Sequence, residues 1–399
     1  MRVLQIIPIY EPAWHMGGVV RSISQLCRGL ASSGVDVTVY TTDSSGISRL
    51  NVPTSSLQEI GGVKVFYFKA DWSLKFSYSK DLAKACRETI ADFDLVHLNS
   101  LWNYPSIPAA VEARRSRVPY IESAHGSLSI YAMPGSSIKK RLYLSLFVKP
   151  RLNRASAIHY TTELEREKSS HLNIKAPSFI VPNGLDPKEF EVLPNPEESR
   201  RKFGVDANQT VITYLGRLHK SKGVDVLLYA FAKVAPIFPL AILLLAGPDD
   251  GYEQTLRRMV QDLGLHGRVQ FPGFVESKGR TDLFSATNLF VLISPGENFG
   301  NSAVEAMASG LPVLLSNNVG IYREVIAEEA GFSVPFQIES VAVMLRELLS
   351  DQSRLKTTGE RARRFAKRFY SIQLITEKMV AAYQDVIDNT RNPRLGWRI

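Results

Sequence analysis

Glu297 and Glu305 stand eight positions apart in the stretch SPGENFGNSAVEAMASGLPVL, residues 294–314, which follows an apolar run. A carboxylate can accept two hydrogen bonds from a vicinal diol, so two of them flanking one site could hold two sugar rings. Gly300, Asn301 and Ser302 fall where a strand gives way to a helix. Their N–H groups, at the positive end of that helix, suit a phosphate or sugar hydroxyls. A plainer account competes. Asn301 or Ser302 can cap a helix running to Ser309, and Ser302 with Glu305 matches the S-x-x-E capping box. Spacing does not choose between the two.

A second cluster is LGRLHKSKGVDVLLYAF, residues 215–231. Arg217 and Lys222, five apart after an apolar run, could clamp a diphosphate without a metal ion. Lys220 is the local competitor, and a solvated basic loop is the alternative. In WHMGGVVRSI (14–23), Gly17 and Gly18 would let the backbone approach a ligand at a helix start, or form a plain loop. In SAHGSL (123–128), His125 closes a strand. His97, His159, His171, His219 and His266 read as structural. No D-x-D pair, Walker A loop or G-x-S-x-G elbow occurs, and PDDG (248–251) reads as a turn. Cationic side chains, without a metal, are left to manage a diphosphate.

Those residues need a scaffold, and 399 of them predict two domains. Hydrophobic content of 45% and charged content of 22% are those of a soluble globular protein, with no run long enough to span a bilayer. MRVLQIIPIYEP reads as a first buried strand and not as a secretory signal. Two cysteines, Cys27 and Cys86, favour a reducing cytoplasm over a disulfide framework. The net charge of +9 points to a polyanionic partner, but the cations are spread along the chain and no nucleic-acid-binding module is present. Strands are expected at 2–10, 35–43, 63–68, 94–100, 119–126, 157–162, 178–184, 211–216, 240–247, 269–274, 289–294 and 313–317. Most are apolar on both faces and alternate with helical patterns, which predicts an α/β fold with two doubly wound parallel sheets. The proline-punctuated stretch 185–204 reads as the crossing between domains. Apolar residues from Ile372 to Ile387 recur at steps of three and four, marking a long final helix.

Taken together, these motifs resemble the family-four retaining glycosyltransferases of the GT-B fold, the glycosyl transferases group 1. The E-x7-E element Glu297–Glu305 carries the resemblance most specifically, then GRLHKSKG (216–223), with VPNGLD (181–186), SAHGSL and GGV (17–19) completing it. It implies two Rossmann-like domains facing a deep cleft. These would be an acceptor domain at 1–185, a nucleotide-sugar domain at 186–372 and a C-terminal helix and tail at 373–399 crossing back to the first domain. By the same resemblance Arg217 and Lys222 would hold the donor diphosphate. Glu297 would bind sugar hydroxyls, aided by N–H groups from Phe299, Gly300 and Asn301, and Glu305 the ribose diol. Gly17 and Gly18 would approach the distal phosphate, His125 and Asn183 would sit at the reacting sugar, and PGFV (272–275), with Phe274, would take the base.

The implied reaction needs no metal or other cofactor and moves a hexose from a nucleoside-diphosphate sugar, UDP-glucose first and GDP-mannose next. NFGNSAVE departs from a more apolar pattern in many relatives, which leaves the donor open. A catalytically silent sugar-nucleotide-binding subunit is the alternative; an epimerase or phosphorylase lacks its expected acid/base pair or cofactor lysine. The acceptor would be a saccharide or lipid-linked saccharide in polysaccharide or lipopolysaccharide assembly. Trp14, His15, Asn99, Trp102 and Tyr104, together with Tyr10, would form an aromatic mouth for it, or are ordinary surface packing. The basic, apolar-faced run 137–156 could lie on an anionic membrane, making the protein cytoplasmic and peripheral on the inner face of the cytoplasmic membrane. A buried helix with charged flanks explains that run almost as well.

Overall fold

The computed structural model describes residues 1–46, 48–128 and 142–391. The chain divides into two compact units, Met1–Gly184 with Ile372–Ile399, and Leu185–Ser371.

The first unit is built on eight strands, β1 (Arg2–Ile6), β2 (Asp36–Thr42), β3 (Leu57–Ile60), β4 (Val63–Phe68), β5 (Leu95–Leu98), β6 (Tyr120–Ser123), β7 (Ala157–Tyr160) and β8 (Ser178–Ile180). They lie in the order β3-β4-β2-β1-β5-β6-β7-β8. All neighbours are parallel except β3 against β4. The edge strand β3 (LQEI) is half-exposed and has no apolar run, so hydrophobicity did not betray it. The parallel strands β5, β6 and β7 are buried throughout, as strands covered on both faces must be. One face packs under the helix Gly18–Ser32 and the final helix Ile372–Arg391, whose Ile375, Met379 and Tyr383 join Val3, Val37 and Leu95 in one core. These two helices touch closely at Gly29, where a Cβ would lie 2.3 Å from Thr376 Oγ1. The other face packs under the helices Lys80–Thr89 and Ser106–Arg115.

The second unit has six parallel strands, β9 (Thr210–Leu215), β10 (Ala241–Ala246), β11 (Val269–Gly273), β12 (Leu289–Leu292), β13 (Val313–Ser316) and β14 (Gly331–Val334). Their order is β11-β10-β9-β12-β13-β14. The winding runs one way from β9 and the other way from β12, so the topological switch point falls between these two central strands. That is where open α/β sheets take their ligands. The short β14 begins at a glycine and escaped the sequence reading.

The crossing between units falls at the start of the stretch 185–204, and the rest of the stretch is folded into the second unit. Leu185 and Phe190 belong to the core of the second unit, with Phe190 against Phe284 at 6.2 Å between ring centroids. Its prolines open helices. Asp186 caps Pro187–Phe190, and Asn195 accepts from the N–H groups of Glu197 and Glu198 to cap Pro196–Lys202. The chain passes between units at 184/185 and 371/372.

Candidate active site

The switch point of the second unit brings two of the predicted charged groups, Lys222 and Glu297, together. After β12 the chain turns through 294–300, and that turn is fastened to the loop after β13. Ser316 Oγ donates to Ser294 O (2.5 Å), Glu297 N donates to Asn318 O (3.2 Å) and Gly320 N donates to Glu297 O (2.9 Å). From this turn Glu297 Oε2 accepts from Lys222 Nζ at 2.6 Å, both side chains being 21% exposed. Lys222 reaches it because Gly223, at φ +68°, is pressed against the same strand end. A Cβ there would lie 2.5 Å from Ile293 O and 2.6 Å from the Phe336 ring. Only glycine combines that backbone conformation with that space.

Glycines also end the three strands on the other side of the switch point. Gly216 N donates to Ala246 O (3.0 Å), and Gly247 N donates to Gly273 O (2.8 Å). At Gly247 a Cβ would fall 1.9 Å from Gly216 O. The rim is bare backbone; Gly273 lies within the expected PGFV stretch, and Gly247 is a rim residue that motif reasoning passed over. Next to it Phe274 is 44% exposed, available as a face for a planar ring.

Arg217, on the loop after β9, pairs with Asp250 at 2.5 Å. That loop is tied to 248–250 by Leu218 N to Pro248 O (2.9 Å) and Asp250 N to Leu218 O (3.1 Å). PDDG is indeed a turn, since Asp249 Oδ1 accepts from the N–H groups of Gly251, Tyr252 and Glu253. Burial pushes the Tyr214 phenol up, the Glu297 carboxylate pushes it further, and Arg217 pulls it back.

The capping box is not formed. The helix Asn301–Ala308 is capped by Gly300 at φ +100°, without a side-chain cap bond. Gly300 O receives the N–H groups of Ala303 (2.9 Å) and Val304 (3.1 Å). A capping side chain needs an extended residue before the helix, and here a left-handed glycine fills that position. A Cβ at Gly300 would meet Val319 at 3.0 Å. Glu305 is instead buried and ion-paired with Arg280, a partner 25 residues upstream that no local spacing suggests. The first N–H groups of this helix lack intrahelical acceptors by geometry.

In the first unit Gly17 (φ +106°) caps the helix that begins at Gly18. Trp14 and His15 lie exposed just before it. His125 adopts a left-handed φ of +46°, followed by Gly126 at +81°. Buried Glu165, missed by motif reasoning, holds this bend by accepting from Gly126 N (2.7 Å) and Thr161 N (2.8 Å). Asn99 is buried and Tyr10 fully so, which removes both from any surface mouth. Trp102 stacks on Tyr143 at 5.8 Å, and Tyr104 packs on Tyr78 at 4.4 Å. Asn183 is partly buried after β8.

Within the run 137–156, Lys139, Lys140 and Arg141 lie outside the described residues. Arg151 is no membrane contact, because it is buried in an ion pair with Glu122 and donates to Leu101 O at 3.1 Å. Leu142, Leu146 and Phe147 are exposed, while Val148 and Leu152 are core. No helix among the described residues is long and apolar enough to cross a membrane.

Residues 195–365 match the model of the glycosyl transferases group 1, and residues 16–189 that of glycosyltransferase family 4. An uncharacterized glycosyltransferase of Methanocaldococcus jannaschii is 25% identical over 96% of this chain and 98% of its own length. The alpha-monoglucosyldiacylglycerol synthase of Streptococcus pneumoniae is 25% identical over 80% of this chain and 71% of its own. Among solved structures, Anabaena HepE in complex with UDP and glucose superposes with a TM-score of 0.77 at 20% identity, covering 96% of this chain and 99% of its own. With both halves of the chain matched, and two parallel α/β sheets in the GT-B arrangement of elements, the protein belongs to family four of the glycosyltransferases, enzymes that transfer a sugar from a nucleotide sugar with retention of configuration.

Proposed function

We propose that this glycosyltransferase moves a hexose, glucose first, from a UDP-sugar to a saccharide or lipid-linked saccharide acceptor. The observation that carries the reading is the Lys222–Glu297 pair at the switch point, 2.6 Å across, with Arg217 on the adjoining loop. A diphosphate entering there meets two cations, and the carboxylate released from Lys222 is free to accept from sugar hydroxyls. The bare glycine rim gives the nucleotide close approach to backbone, and Phe274 offers its ring to the base. Glu305 would take the ribose diol, competing with Arg280 for one carboxylate. Gly17, Gly18, Asn183 and the N–H groups of Phe299, Gly300 and Asn301 would complete the donor contacts, with His125 at the reacting sugar.

The bond from the anomeric carbon to the β-phosphate oxygen breaks, and its electron pair leaves with the diphosphate. The acceptor hydroxyl oxygen bonds to that carbon on the same face, and its proton passes to the departing phosphate oxygen. Arg217, Lys222 and the helix-end amides stabilise the negative charge that grows on the leaving group, already in place before it develops. Trp14 and His15, exposed together, fit an acceptor sugar. Exposed Leu142, Leu146 and Phe147, followed in sequence by Lys149 and Arg154, fit a peripheral seat on the inner face of an anionic cytoplasmic membrane.

The test is thermal-shift measurement with UDP-glucose, GDP-mannose and their nucleotides, followed by donor hydrolysis with and without chelator. UDP-glucose is expected to shift the protein most, and activity to survive chelator. Lys222→Ala is expected to abolish transfer with the fold retained; normal transfer by that variant would sink the diphosphate assignment.

A further inference from the structure

A continuous chain of hydrogen bonds, buried up to its last link, runs under the carboxyl ends of β1, β5, β6 and β7 and ends at the partly buried His125. Gln5 on β1 lies opposite His97 on β5, and Ser123 on β6 lies opposite His159 on β7, so these side chains line one face of the sheet. Tyr383 of the final helix drops onto that face. Its hydroxyl contacts Gln5 Nε2 at 2.9 Å and His97 Nδ1 at 2.7 Å.

Two backbone carbonyls, which only accept, set the direction of every proton in this chain. At one end His159 Nε2 lies 2.7 Å from Val181 O and must donate to it. A neutral His159 then accepts at Nδ1 from Ser123 Oγ (2.7 Å), and Ser123 Oγ accepts from His97 Nε2 (2.6 Å). His97 Nδ1 is left as an acceptor and takes the Tyr383 proton. At the other end Asn99 Nδ2 donates to His97 O (3.3 Å) and to Gln5 Oε1 (2.8 Å). Gln5 Nε2 therefore faces Tyr383 and donates to it. Asn99 Oδ1 is left to accept from His125 Nε2 at 3.2 Å. Both runs of donors meet at Tyr383, whose hydroxyl accepts once, from Gln5, and donates once, to His97.

We infer that Asn99, its amide oriented by the His97 carbonyl and by Gln5, positions His125 as a neutral ring with its proton on Nε2 and its lone pair on Nδ1. Burial independently holds the three rings neutral, pushing His125 down to about 3, His159 to about 4 and His97 well below its ordinary value. The ring's remaining polar atom is an acceptor, so it takes a hydroxyl and disfavours a phosphate oxygen. Asn99 and Gln5 are thus positioning residues. The meaning of this for catalysis rests on the proposed place of His125 at the reacting sugar.

The experiment is a long-range 1H–15N correlation spectrum of the histidine-labelled full chain at pH 7 without substrate, each ring assigned by single His→Gln variants. His97, His125 and His159 are expected as neutral Nε2–H rings; an Nδ1–H ring or an imidazolium among them would overturn the inference. Asn99→Ala, which removes the acceptor of His125 Nε2, is expected to leave His125 exchanging between tautomers and to lower kcat for UDP-glucose hydrolysis about tenfold at unchanged KM. Ser123→Ala, which cuts the chain beyond Tyr383, leaves His125 as it was. A His125 signal unmoved in Asn99→Ala, or moved in Ser123→Ala, also overturns it. Normal hydrolysis by His125→Ala with the tautomers as predicted would instead refute only the placement of His125 at the sugar.

Discussion

Replacing Gly223 by alanine tests whether the glycine at the Lys-Gly junction is what aims Lys222 at Glu297. Two costs can be separated. The left-handed backbone at φ +68° penalises any Cβ by about 1–2 kcal/mol. The steric cost comes on top, since the new methyl would sit 2.5 Å from Ile293 O and 2.6 Å from Phe336, well inside ordinary contact distance. Forcing a group into such a space adds about 1–3 kcal/mol. The sum, roughly 2–5 kcal/mol, lowers the melting temperature of a unit this size by about 2–4 °C per kcal/mol. Gly264→Ala is the control, because Gly264 has φ +66° and nothing within 4 Å. It should show the first cost alone. Relieving the clash requires the 220–223 turn to back away from the strand end by several tenths of an ångström, which lengthens the 2.6 Å Lys222–Glu297 contact. Misplacement near 1 Å at a reacting centre can cost about a hundredfold in rate. Thermal melts and UDP titration of both variants provide the assay. If Gly223→Ala and Gly264→Ala melt alike and bind UDP alike, the proposed role of Gly223 is wrong.

Asp250→Ala should leave stability within about 0.5 kcal/mol, because the Arg217–Asp250 pair is half-exposed on both sides. UDP should bind that variant equally well or more tightly, with Arg217 released, and calorimetry would read it. The first unit should lose stability as pH falls from about 6.5 to 5. His97, His125 and His159 are held below their ordinary value of 6.5, so unfolding takes up roughly three protons there, and their stabilisation, complete above 6.5, is lost on acidification. Glu122 opposes this, since burial pushes it up to about 7 and unfolding releases its proton over the same range. About two protons net remain, a slope near 2.7 kcal/mol per pH unit in urea melts, and Glu122→Gln should steepen it. Replacing Leu142, Leu146 and Phe147 together by serine should abolish co-sedimentation with anionic vesicles without altering hydrolysis of UDP-glucose; undiminished co-sedimentation would remove the membrane seat.

Parallel strands buried on both faces are short apolar runs, and such runs stood out at twelve places where strands are found. The two that escaped, β3 and β14, lack that run, one as a half-exposed edge and the other as a short strand opening on glycine. Prolines 187 and 196 misled in the opposite direction. A proline at a helix start and one in a linker are the same letter, and only the packing of Phe190 against Phe284 shows which applies.

Sequence alone determined the α/β class, the motifs at strand ends and the family they resemble, because those depend on local hydrophobic period and on residue types at short spacing. Tertiary structure decided the partners. Glu305 meets Arg280 and not Ser302, Arg151 turns inward to Glu122, and Tyr383 reaches Gln5 across 378 positions. A side chain's charge and hydrogen bonds are completed by whatever the fold brings within 3 Å, and strand order, not spacing along the chain, chooses those neighbours.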